Sequence, residues 1–139
     1  MKKLFTLRNQ CSELTTLDKH LREIEESWLL PPKIVLTINL ILDELITNII
    51  EHSMQEREAE IKVEIRKDND TVFLKVTDNG PPFDPTKSSL PDTTLPLANR
   101  RCGGLGIFLV KKYSDSFDYE RIDNTNVFTI VKNLSQEGR

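Results

Sequence analysis

From about Lys33 to Ser53, Ile34, Ile38, Ile41, Leu42, Leu45, Ile46 and Ile49 recur at three- and four-residue intervals. On a helix they merge into one broad apolar face, so this segment must pack into a core. Glu44, Asn48 and His52 stand four residues apart in the same stretch and form a single polar stripe along an otherwise apolar cylinder. Such a stripe is placed to face a ligand. Pro31 and Pro32 precede the segment, and Pro32 suits the first turn of the helix.

The elements around it follow from shorter patterns. Lys3 to Arg8 alternates apolar and polar residues and predicts a first strand at a sheet edge. Ser12 sits in N-cap position ahead of Leu14, Leu17, Leu21, Ile24 and Trp28, whose spacing predicts an amphipathic helix that stops before Pro31. Ile61, Val63 and Ile65 alternate with charged residues, Val72, Leu74 and Val76 do the same, and Asp68-Asn69-Asp70 lies between, which predicts a hairpin. Gly80 to Arg101 contains five prolines and no sustained period, which reads as a lid of about residues 80–102. Leu105, Phe108, Leu109 and Lys112 then predict a short helix, followed by strands near Phe117 to Ile122 and Asn126 to Lys132 around Asp123-Asn124-Thr125. The order β-α-α-β-β-α-β-β predicts a two-layer α/β sandwich, a mixed β-sheet with helices on one face, in a single domain covering 1–139.

At 139 residues the chain is long enough to bury about two thirds of its unfolded surface around one core. A net charge of −3 argues against a nucleic-acid or anionic-membrane surface, although Arg100, Arg101, Lys111 and Lys112 form a local basic stretch. No apolar run approaches the ~20 residues of a membrane span, and Met1-Lys2-Lys3 is not followed by a signal-like segment. With two cysteines only, a reducing cytoplasm is the expected location.

Three motifs stand in a fixed order: Glu44-Leu45-Ile46-Thr47-Asn48 with His52, then Asp78-Asn79-Gly80, then Gly103-Gly104-Leu105-Gly106-Ile107-Phe108-Leu109-Val110. They resemble the N-box, G1 box and G2 box of the GHKL ATPase/kinase superfamily, and within it the anti-sigma-factor serine kinases. The resemblance covers nearly the whole chain and implies the Bergerat fold. It further implies ATP and Mg2+ as cofactors, with Glu44 as catalytic base, Asn48 as the magnesium ligand and His52 on the phosphate side. Asp78, followed by Gly80, would read the adenine amino group. Gly103, Gly104, Leu105 and Gly106 would cradle phosphates where glycine lets backbone amides approach. Arg101 would reach phosphate oxygens from the lid, and Thr129 in the last strand would lie near adenine. The sequence departs from the superfamily pattern at Pro82, which replaces a glycine two residues after Gly80, and at Cys102, which replaces the first glycine of the third motif.

Each residue also has a plainer reading. Glu44 alone is a solvated helix acid, Asn48 a surface amide, His52 a cation near a helix C-terminus, and Asp78 an Asx-turn residue before glycine. The resemblance implies an ATP-dependent protein serine/threonine kinase acting on an anti-sigma-factor antagonist of the sulfate-transporter/anti-sigma-antagonist type, and holding a sigma factor as second partner. The alternative is a nucleotide-gated partner-binding module without turnover. The spacing of Leu14, Leu17, Leu21 and Ile24 also permits a homodimer surface.

Overall fold

The computed structural model describes residues 1–52, 59–87 and 106–134. Strand β1 (Lys2–Arg8) leads through a 3-10 turn (Cys11–Glu13) into α1 (Leu14–Trp28) and α2 (Pro32–His52). A hairpin of β2 (Glu60–Asp68) and β3 (Thr71–Asp78) follows, then a second 3-10 turn (Pro85–Lys87), α3 (Ile107–Tyr113) and a hairpin of β4 (Ser116–Ile122) and β5 (Thr125–Asn133).

Helix α1 does not start on a Ser12 cap, because Ser12 lies inside the 3-10 turn. Glu13 ties the helix start instead: its carboxylate accepts the Arg8 N–H at 3.0 Å and the Thr16 hydroxyl at 3.1 Å. The helix ends on Leu29 in the left-handed conformation (φ 53, ψ 42), and Leu30 and Pro31 complete a short link that turns the chain back into α2.

The five strands form one sheet in the order β1-β2-β3-β5-β4, and every neighbouring pair is antiparallel. The two-layer α/β sandwich is therefore present, but its sheet is antiparallel rather than mixed. Connectivity explains this. Two helices in succession between β1 and β2 return the chain to the end from which it left, so β2 runs against β1. A single helix between β3 and β4 makes those two run the same way, but β5 fills the place between them by its tight hairpin with β4 and opposes both. Asp123 and Asn124 take positive φ (47 and 63) in that hairpin turn, as a two-residue type I′ connection requires.

Ile61, Val63 and Ile65 of β2, Val72, Leu74 and Val76 of β3, and Phe128 and Ile130 of β5 point to the helical side and are buried. They meet Leu17, Leu21 and Ile24 of α1 and the isoleucines and leucines of α2 in one core. The intervening residues, Lys62, Glu64, Lys75 and Thr77 among them, lie on the uncovered face. Among the described residues no helix is long and apolar enough to cross a membrane.

Candidate nucleotide site

The polar stripe of α2 is buried at its Glu44 end, half-buried at Asn48 and exposed at His52. Glu44 is only 6% exposed, so the solvated-acid reading fails. Its Oε2 accepts the backbone N–H of Gly106 at 2.9 Å, across 62 residues of chain. One turn on, Asn48 is half-buried, and its amide nitrogen lies 3.5 Å from the Glu44 carbonyl. A Cβ on Gly106 would come within 3.3 Å of that nitrogen, and Gly106 has φ +61 with ψ −140, a backbone state that side chains exclude. Glycine is thus demanded here twice, by its conformation and by the closeness of Asn48. The stripe and the third motif meet at this point.

Asp78 closes β3, directly opposite Asn126 on β5, which in turn pairs with Arg121 on β4. The carboxylate is 4% exposed. Its Oδ1 accepts the Gly80 N–H at 2.8 Å, which is the Asx turn, and the Asn126 side-chain N–H at 3.1 Å. Its Oδ2 is buried without a hydrogen-bond partner among the described residues. A buried acceptor left unpaired costs about 1–3 kcal/mol, so the Asx turn accounts for only half of this side chain. Burial pushes the carboxyl above its ordinary range, opposed by the bonds from Asn126 and Gly80 and by the Arg121 charge. The unpaired oxygen fits an N–H donor, as the amino group of adenine is.

A polar network surrounds this pair. Asn126 also donates to the Pro81 carbonyl at 2.8 Å. Its own oxygen accepts the Tyr119 hydroxyl at 2.6 Å and Arg121 at 3.1 Å, while Arg121 donates to the Gly80 carbonyl at 2.7 Å. His52, at the exposed end of the stripe, stacks on Phe83 with ring centroids 3.6 Å apart and borders the same space as Asp78, so it lies at the Asp78 end of the site and not on the phosphate side that the resemblance implied. Its desolvation there lowers the imidazole pKa below the usual value.

Thr129 does not enter the site. It pairs with Lys75 and Asp118, between the inward-facing Phe128 and Ile130, and so points to the uncovered side of the sheet. Asn126, three residues earlier and on the inward face, occupies the place beside Asp78. In sequence Asn126 reads as the tail of an Asp-Asn-Thr-Asn turn, and only the pairing register reveals it. Tyr119, Arg121 and Phe83 carried no signal either. Arg101, Gly103, Gly104 and Leu105, with most of the lid, lie outside the described residues.

Residues 7–132 match the family described as the histidine kinase-like ATPase domain. The chain belongs to this family. Membership implies a site that binds ATP, and the unpaired Asp78 oxygen at one end, with Glu44, Asn48 and Gly106 at the other, is the part of the described fold suited to it. The serine/threonine-protein kinase BtrW of Bordetella bronchiseptica is similar to the chain, 29% identical over 102 residues, which cover 73% of this chain and 72% of the relative. Among the described residues no group of three or more His, Cys, Asp or Glu side chains could hold a metal ion. A magnesium ion at this site would take one protein oxygen, from Asn48, and its remaining ligands from water and phosphate.

Proposed function

We propose that the chain is an ATP-dependent protein serine/threonine kinase whose substrate is an anti-sigma-factor antagonist of the sulfate-transporter/anti-sigma-antagonist type, in a partner-switching system in which a sigma factor is the second partner. One observation carries the kinase reading: the buried carboxylate of Glu44 sits beside Asn48 and against the Gly106 turn, in a family that binds ATP. Phosphoryl transfer asks a protein mainly for positioning and charge stabilisation, and this arrangement supplies parts for both.

In this reading Asp78 and the Asn126 network orient the adenine end. Asn48 would hold magnesium through its neutral side-chain oxygen, and the ion, when bound, neutralises phosphate charge. Glu44 takes the proton of the attacking serine or threonine hydroxyl. The similarity to a relative named as a serine/threonine-protein kinase supports the choice of acceptor. The antagonist and the sigma factor are carried by the motif resemblance alone.

A second reading, a nucleotide-gated binding module without turnover, is favoured by one contact: an oxygen of Glu44 is already occupied by the Gly106 N–H. Labelled ATP mixed with the protein and a candidate antagonist separates the two. Glu44→Gln keeps the shape and removes the base, and is expected to lose on the order of 10²-fold or more in transfer rate while retaining ATP affinity. Transfer at equal rates by both forms refutes the role of Glu44. ATP binding without transfer by the wild type leaves the module as the function.

A further inference from the structure

We propose that Phe83 is an aromatic plug that keeps the adenine end of this site closed, and that the base enters by taking the place of its ring beside His52. The proposal rests on the ATP-binding reading above and adds a residue that controls access. Ile49, His52, Asp78, Pro81, Phe83 and Asn126 line a partly open cleft of about 160 Å³, too narrow to admit a water. Asp78, whose Oδ2 is buried without a partner among the described residues, forms part of its wall. A polar atom that needs a donor is therefore out of contact with solvent, and a ligand reaches it only once part of this wall moves.

Phe83 is held from two sides. Its ring lies on the His52 imidazole, 3.6 Å between centroids and 21° from parallel. Its backbone N–H donates to the Tyr119 hydroxyl at 3.3 Å, which donates to the same Asn126 oxygen that accepts from Arg121. Asn126 also reaches Asp78 and the Pro81 carbonyl. The residue that reads the base and the residue that blocks it are thus joined through one amide. A planar base that donates to Asp78 offers His52 a new ring to stack on, so an aromatic purine replaces what the plug gives up, whereas a ligand without a flat ring does not. The chain beyond Phe83 runs directly into the 3-10 turn at Pro85–Lys87, which packs against α3, and α3 follows Gly106 at the Glu44 contact. Phe83 is thus linked through this turn to the end of the site where Glu44 meets Gly106.

The test measures binding of a ribose-labelled fluorescent ATP with magnesium by stopped flow, for the whole chain and its Phe83→Ala, Phe83→Tyr and Tyr119→Phe forms. If closure makes only a minor fraction of molecules competent, removing the plug raises the association rate and tightens Kd by the reciprocal of that fraction, on the order of tenfold. Phe83→Ala is expected to show that gain, Phe83→Tyr to remain slow like the wild type, and Tyr119→Phe to fall between. The proton spectrum of the free protein provides a check without ligand. Of the two histidines, His20 stacks on Phe5 and serves as control. Phe83→Ala should move the His52 ring protons downfield and leave those of His20 in place. Weaker binding by Phe83→Ala at an unchanged association rate makes Phe83 a wall of the pocket and overturns the plug alone. No nucleotide binding by folded wild type and Phe83→Ala overturns the ATP-binding reading and the plug with it.

Discussion

Asp43 precedes Glu44 on α2, and replacing it with asparagine should stabilise the protein in a pH-dependent way. Its carboxyl is raised from an ordinary 3.8 to about 6, first by desolvation, then by the negative charges of Glu44 and Asp18. Asp18 itself is held by Arg22 at 2.9 Å and by Asn39 at 3.2 Å. The folded chain binds the Asp43 proton more tightly than the unfolded chain does. Stability from this group is therefore greatest below the unfolded pKa, falls as pH rises from about 4 to about 6, and is flat above. Full conversion of that shift gives about 3 kcal/mol at neutral pH, and partial exposure of Asp43 with solvent screening reduces this to about 1–1.5 kcal/mol. Asp43→Asn removes the charge and nearly preserves the shape. Urea unfolding followed by far-UV circular dichroism should show variant and wild type equally stable near pH 4, and the variant ahead by about 1–1.5 kcal/mol at pH 7. The melting temperature at pH 7 should rise by roughly 3–5 °C for a domain of this size. A stability difference that stays constant across this range, or a wild type that is the more stable form at pH 7, would refute the assignment of strain to this carboxyl.

Asp78→Asn puts a donor where the unpaired oxygen stood, so calorimetric ATP affinity should fall roughly 10- to 100-fold, and the preference for ATP over GTP should shrink or reverse because guanine presents an acceptor at that edge. ATP affinity of the wild type should weaken on acidification beginning above the ordinary carboxylate range, since the neutral Asp78 carboxyl no longer accepts; an onset at the pH of an exposed aspartate would count against its burial as the cause. Asn48→Ala should lose most of the magnesium dependence of ATP binding, and an unaltered magnesium titration would remove it as the ligand. Phe128→Ala, at a fully buried position on β5, should cost about 3–5 kcal/mol in unfolding free energy, a large fraction of the stability of an ordinary domain.

Local periodicity settled the elements that depend on near neighbours. The apolar face of α2 and its polar stripe, the β2–β3 hairpin and the Asp78-Asn79-Gly80 ending of β3 are each set by residues within a few positions of one another, so they are legible in order along the chain. The motif order also pointed to the family before any coordinate. What tertiary structure decided are the contacts made across long separations. Gly106 reaches Glu44 across 62 residues and Asn126 reaches Asp78 across 48. No local pattern encodes such meetings, because they follow from how β5 registers against β3 and how α3 docks on α2. Thr129 shows how sharply register acts: side chains alternate between faces, so a position an odd number of residues from Asn126 lies on the other side of the sheet, whatever its chemistry. The antiparallel sheet has the same origin, since strand direction depends on how many helices intervene and on which strand fills the gap. Phe83 and His52 are 31 positions apart and unremarkable in sequence. Their stack exists only because the end of α2 and the start of the segment after β3 converge over Asp78.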